Sequence, residues 1–137
     1  MNRRGLLRLG GTGLFAAVAG CSSAGGSADT RRVSMTADFA YDPARLTVAS
    51  GTTVRWENDD EDEVGHTVTA DTDRIPADAD YFASGGFDSE RAARNDVRGG
   101  LIPAGDAYEH TFETAGTYDY FCVPHEGSGM VGTVVVR

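Results

Sequence analysis

From Arg32 to Arg137 the chain is cut into short runs of β-branched and aromatic residues, and this rhythm limits the fold more than any other feature. The runs are RVSMTADF, RLTVAS, TTVRWEN, HTVTA, AYEHTFE, TYDYFCV and VGTVVVR. Between them lie Gly51, an acidic loop at 58–65, Gly105-Asp106 and Ala115-Gly116. Alternating or β-rich runs bounded by turn formers read as strands. About seven of them in roughly 100 residues suit an all-β sandwich, and seven to eight strands are expected. Residues 71–105 break the rhythm. Within them DSERAARND can form two turns of helix with Asp88 or Ser89 as N-cap, so a short helical excursion is expected there.

The 137 residues suit a single domain of ordinary size, and 18 glycines fit a turn-rich fold. All 12 basic residues are arginine, against 21 acidic ones, for a net charge of −9. Such a surface repels phosphate, so no nucleic-acid partner is expected. Acid excess without lysine resembles halophilic proteins, in which charge serves solvation. The competing reading is a docking field for a cationic partner. Concentrated salt shortens the Debye length to ~3 Å at 1 M, which weakens steering, and the solvation reading is preferred.

The N-terminus, MNRRGLLRLGGTGLFAAVAGC, is an address. Arg3-Arg4 is a twin-arginine pair ahead of an apolar segment, the pattern of a Tat export signal. The uncharged stretch from Leu9 to Gly20 is shorter than the ~20 residues of a membrane-spanning helix and fits a signal-peptide core. Val18-Ala19-Gly20-Cys21 looks like a lipobox, which makes Cys21 the expected lipidation site. Residues 1–20 are therefore read as a Tat-type lipoprotein signal peptide, 21–31 as a flexible tether and 32–137 as the folded domain. The tether follows from the small polar run CSSAGGSADT. The expected location is the outer face of the cell membrane, with the lipid as anchor.

With Cys21 modified, Cys122 is the remaining thiol and has no partner for an internal disulfide. It belongs to YFCVPHEGSGM, where Cys122, His125 and Met130 follow Cys-x2-His-x4-Met spacing. Thiolate and imidazole favour copper or zinc, and a thioether suits copper. Gly127 and Gly129 allow the loop to curl until Met130 turns inward. Two histidines and a cysteine with a weak axial methionine form a blue-copper set, which calls for one more histidine. His66 follows Gly65 at the end of the acidic loop and opens HTVTA, where a side chain can face the end of a sandwich. His110 lies mid-strand between Tyr108 and Phe112, the place of a packed side chain. His66 is therefore preferred as ligand and His110 as structural. Zinc is the rival metal, but it prefers four strong ligands.

The segment GTYDYFCVPHEGSGMVGTVVV resembles the C-terminal copper-binding segment of plastocyanins and halocyanins. Upstream, YDPARLTVASGTTVRWEN resembles the strand pair leading to their first histidine; residues 71–105 are outside the likeness. Lipobox, acidity and missing lysine point toward the halocyanin branch. The resemblance implies a Greek-key cupredoxin sandwich holding one type 1 copper. His66, Cys122 and His125 would be the strong ligands, Met130 the axial one, and the Gly65 carbonyl a weak approach as in azurin-like relatives. Two positions depart from the pattern. Thr67 stands where many members have the asparagine that ties the ligand loops together, and its hydroxyl can replace part of that network. Phe121 stands where plastocyanins often have a tyrosine on a remote electron route.

The expected function is that of a one-electron carrier in a respiratory or photosynthetic-type chain, monomeric, with membrane redox proteins as donor and acceptor. No acid–base pair, nucleophile triad or phosphate loop is evident, so no enzymatic activity is expected. A copper delivery or storage lipoprotein is the alternative, although Met35 is the one methionine besides Met130 after the signal. A small oxidase- or reductase-associated domain is the third reading. His125 is expected nearest the surface, within an apolar rim of Val123, Pro124 and Val131. The acidic side chains Glu57, Asp59, Asp60, Glu61, Asp62 and Glu63 are read as a solvated loop in preference to a partner-docking surface or a cation site.

Overall fold

A computed structural model describes residues 29–137. The expected signal peptide and the tether through residue 28 lie outside the described residues. The strands are β1 (Thr30–Thr36), β2 (Ala40–Asp42), β3 (Arg45–Val48), β4 (Thr52–Asn58) and β5 (Thr69–Ala70), then β6 (Ala107–Phe112), β7 (Gly116–Phe121) and β8 (Val131–Val136). Two short helices, α1 (Glu90–Asn95) and α2 (Val97–Gly100), stand between β5 and β6. One sheet has the order β2-β1-β4-β6 and the other β3-β8-β7-β5. The pairs β1–β4 and β3–β8 are parallel, and the remaining ladders are antiparallel.

Every expected run contributes a strand, with two differences. β2 was not anticipated, because three residues are too few to show a period. HTVTA is a strand only at Thr69–Ala70, and its first residues pair with the excursion instead. His66 and Ile102 exchange backbone bonds (3.3 and 2.7 Å), and Val68 accepts from the Ser84 amide at 2.7 Å. The excursion is thus stitched to the segment that carries His66. Its helix α1 is capped by Ser89, whose hydroxyl accepts from the Ala92 amide at 3.1 Å. The first strand begins at Thr30, two positions before the expected start of the domain.

Alternation places one face of each strand in the core. On β4, Thr52, Val54, Trp56 and Asn58 point inward while the residues between them face outward. Val33 and Met35 of β1, Val134 and Val136 of β8, and Tyr118 and Tyr120 of β7 complete the layer. Trp56 is its centre, with ring centroids 5.3 Å from Tyr120, 5.7 Å from Tyr108 and 6.3 Å from Phe112. Phe82 of the excursion stacks on Trp56 at 6.0 Å, so residues 71–105 also build the core. Gly132 sits opposite Tyr120, and a Cβ there would lie 2.5 Å from the tyrosine ring. Glycine is required at that point by lack of room.

His110 is where a structural histidine was expected. It faces Val54 across the β4–β6 ladder and stacks on Phe82 at 4.7 Å. Burial lowers its pKa, and Asp80 works in the opposite direction. A base held below its unfolded value of 6.5 is protonated more readily in the unfolded chain, so stability falls as pH drops through and below 6.5. His110→Gln is expected to flatten the slope of unfolding free energy against pH in that window. Chemical denaturation of both proteins at several pH values measures this, and an unchanged slope would refute it.

Candidate metal centre

Three chain segments meet at one end of the sandwich. The first is the acidic loop after β4, running into His66 and Thr67. The second is the end of β7 and the loop to β8, which carries Cys122, His125 and Met130. The third is the turn between β1 and β2, at Phe39.

The second segment folds onto itself. Cys122 leaves β7 in extended conformation, and Val123–Ser128 forms a 3-10 turn with Pro124 in its first turn. The amide of His125 donates to the Cys122 carbonyl (3.2 Å), that of Met130 to the His125 carbonyl (3.2 Å), and that of Cys122 to the Met130 carbonyl (3.1 Å). Gly129 closes the turn at φ 86°, a left-handed conformation that glycine adopts without strain. These bonds turn sequence spacing into a pocket.

Three of the four sequence-predicted ligands come together as donor atoms. Nδ1 of His66 lies 3.2 Å from Nδ1 of His125, and Sγ of Cys122 lies 3.3 Å from the His125 nitrogen and 3.9 Å from the His66 nitrogen. All three atoms fall within 4.8 Å of one another. Met130 is fully buried and joined to both other loop residues through its backbone. His66 and Cys122 are also fully buried, and His125 is partly exposed. His110 is stacked on Phe82 in the core, apart from this group.

The acidic loop differs from its solvated reading at Asp60 and at Glu57. Asp60 is buried, and its Oδ2 lies 2.8 Å from Nε2 of His66. Its Oδ1 accepts the Asp62 amide at 2.7 Å. Asn58 sets this turn: its Oδ1 accepts the Asp60 amide, and its Nδ2 donates to the carbonyls of Val64 and Ile102. Glu57 leaves the solvated set in another way, through ion pairs with Arg32 and Arg55 on the outer face of the sheet. Glu61, Asp62 and Glu63 are exposed, as expected. An acidic run without periodicity gives no sign of which carboxylate turns inward.

Thr67 takes up part of the role of the missing asparagine. Its amide donates to the Cys122 sulfur at 3.3 Å, and its hydroxyl accepts the Val123 amide at 2.8 Å. The two ligand segments are thereby tied directly. Its carbonyl accepts the buried Tyr41 hydroxyl at 2.6 Å, which braces the segment from β2. On the far side, Phe121 is buried beneath the Arg94 guanidinium, 4.4 Å from its ring centroid. Arg94 also pairs with Glu90 and Glu126, so α1 is fastened to the loop that carries His125.

Sequence reading missed Phe39. Its ring stacks on His125 with centroids 4.4 Å apart, and its backbone is left-handed at φ 56°, uncommon for a bulky residue. Phe39, Val131 and Pro124 are exposed and Val123 partly so.

The local fields follow from burial. Burial pushes the Cys122 thiol up, and the Thr67 amide opposes that rise. Burial lowers His125, as does the neighbouring His66, while Asp60 works against them. For Asp60 burial opposes ionisation, but the bonds from His66 and the Asp62 amide outweigh it and hold the carboxyl below its ordinary value.

The donor set fits a single soft metal ion. Metal–nitrogen bonds are ~2.0–2.1 Å and metal–thiolate bonds ~2.3 Å, so donors closer than ~4 Å can share one ion. The three separations of 3.2, 3.3 and 3.9 Å meet that condition. Asp60 is engaged with the outer nitrogen of His66 and supplies no fourth hard ligand. Met130, the expected fourth ligand, would bring a thioether, which favours copper over zinc.

Known proteins agree with this geometry. The family model described as copper binding proteins, plastocyanin/azurin family, matches residues 28–137. A chloroplastic plastocyanin of Tetradesmus obliquus is 36% identical over 124 residues, covering 88% of this chain and 76% of its own length. A plastocyanin of Scenedesmus fuscus is 35% identical over 99 residues, covering 72% of this chain and 88% of its own length. Among solved structures, a purple cupredoxin from Nitrosopumilus maritimus superposes with a TM-score of 0.54 at 27% identity, covering 78% of this chain and 99% of its own. The sandwich, the His-Cys-His cluster and these likenesses agree: the chain belongs to the plastocyanin/azurin family of copper-binding proteins, with a site for one type 1 copper.

Proposed function

We propose that the chain is a one-electron carrier held at the outer face of the cell membrane, exchanging electrons with membrane redox proteins of a respiratory or photosynthetic-type chain. The observation that carries the reading is the triangle of His66, Cys122 and His125, in which His125 alone of the three is partly exposed. Copper held there supplies a Cu(II)/Cu(I) couple that moves one electron without making or breaking a substrate bond.

The residues supply a rigid, dry cage. His66, Cys122, His125 and Met130 would hold the copper, and the Thr67 amide points at the Cys122 sulfur. The loop bonds among Cys122, His125 and Met130 hold the donors in place, which keeps reorganisation small when the charge changes. Burial of Cys122 protects the thiol from oxidation. His125 is the proposed electron port, and Phe39, Pro124 and Val131 form an apolar rim for brief contact with a partner. Weak redox encounters bury less than ~1,200 Å² in total, which a rim of this kind can provide. Delivery or storage of copper is less consistent with the site, because three of the four proposed ligands are fully buried. The membrane reading rests on Arg3-Arg4 and on the lipobox ending at Cys21, together with lipid attachment at that cysteine. Among the described residues no helix is long and apolar enough to cross a membrane. Monomeric exchange is proposed because a carrier must leave His125 accessible.

Adding Cu(II) to the purified domain is expected to give an intense thiolate-to-copper band in the visible, bleached reversibly by reductant and lost in Cys122→Ser. A colourless tight complex would overturn the copper-carrier reading. Pro124→Glu, the exposed residue directly before His125, is expected to slow electron exchange with a partner by about tenfold at low salt while leaving the band in place. Unchanged rates, measured by stopped-flow, would remove His125 as the port. In cells, Cys21→Ser is expected to move the protein from the membrane fraction to the soluble exported fraction; retention in the membrane would refute the lipid anchor.

A further inference from the structure

We propose that Asp60 is a positioning residue for the redox couple, its buried carboxylate fixing the tautomer of His66 and favouring Cu(II) over Cu(I). This inference rests on the copper reading above.

The argument starts from an asymmetry between the two histidines. His125 is partly exposed and lies against the apolar ring of Phe39. His66 is fully buried, and its outer nitrogen meets a carboxylate whose side chain is equally inaccessible, at 2.8 Å. Burying a carboxylate is costly unless it is hydrogen-bonded, so its partners report its state. Oδ2 faces Nε2 of His66, and Oδ1 faces the Asp62 amide. The Asp62 amide can only donate. At the other contact the shared proton belongs on Nε2, because an imidazole is a stronger base than a carboxylate.

The tautomer follows. An anionic carboxylate can only accept, so Nε2 of His66 carries the proton and Nδ1 keeps its lone pair. That Nδ1 is the atom 3.2 Å from Nδ1 of His125 and 3.9 Å from the Cys122 sulfur. The correct nitrogen is therefore presented before any metal arrives. The acid is also locked in place: Asn58 holds the Asp60 amide and clamps the loop to Val64 and Ile102.

The electrostatic consequence has a definite sign. A carboxylate on the far nitrogen makes the imidazole a stronger donor and adds a negative charge in a dry setting, where charges interact more strongly than in water. Both effects stabilise the more highly charged Cu(II) state. Outer partners of this kind typically change metal affinity 10–100-fold on removal. Here the loss should fall mainly on Cu(II).

The test uses the full chain loaded with one equivalent of copper, compared with Asp60→Asn and Asp60→Ser. Asparagine keeps the shape and removes the charge; serine removes both. With Cu(I) affinity nearly unchanged, Cu(II) affinity should fall about tenfold in Asp60→Asn, raising the reduction potential by about 59 mV for one electron. The thiolate-to-copper band should persist, and the shift should appear in both variants. A potential equal to wild type in a variant that keeps the band would overturn the proposal while leaving the copper reading intact. A wild-type protein without the band would overturn both. Nitrogen-15 NMR of the wild-type metal-free protein gives a readout that needs no variant to fold. His66 should show a slowly exchanging proton on Nε2; a proton on Nδ1, or rapid exchange at Nε2, would refute the assignment.

Discussion

The packing of the two sheets around Trp56 is the constraint on which the metal end depends. Trp56 lies two residues before Asn58, where β4 ends and the acidic loop begins. Across the core it meets Tyr120, two residues before Cys122. The same contact therefore sets where the chain leaves one sheet toward His66 and where it leaves the other toward Cys122. Phe82 covers another face of the indole and brings the 71–105 excursion into the same layer. A change that shifted Trp56 would move both the segment that carries His66 and the one that carries Cys122.

From that base the site is assembled by backbone and side-chain hydrogen bonds rather than by the donor atoms themselves. The loop from Cys122 to Met130 closes on its own carbonyls. Thr67 joins it to the His66 segment through its amide and hydroxyl. Tyr41 braces Thr67, Asn58 braces the turn at Asp60, and Asp60 orients His66. Each support comes from a different part of the chain. Donors preset in this way need little rearrangement when an electron arrives or leaves, as rapid one-electron exchange requires. The substitution of threonine for asparagine after the first histidine preserves the tie between the loops with different atoms.

The surroundings of the two histidines divide the work. His66 is buried and faces a charged partner, which suits control of the couple. His125 is partly exposed and stacks on Phe39, which suits contact. The acidity that marks the sequence is correspondingly divided: Asp60 is inside, Glu57 is paired across the sheet, and Glu61, Asp62 and Glu63 face solvent. Net charge alone could not separate these roles.

Much of this was legible in the sequence, for physical reasons that concern local chemistry. Strand rhythm, turn residues and the Cys-x2-His-x4-Met spacing are properties of neighbours along the chain. They pointed to a β-sandwich, to a metal-binding loop at Cys122 and His125, and to His66 and not His110 as its distant partner. Ser89 as a helix cap was equally local. Tertiary structure alone decided that Asp60 turns inward onto His66, that Phe39 covers His125 and that HTVTA pairs with the excursion instead of extending a strand. Those contacts depend on how loops leave the sandwich and on which distant groups they then meet. Periodicity carries no record of either.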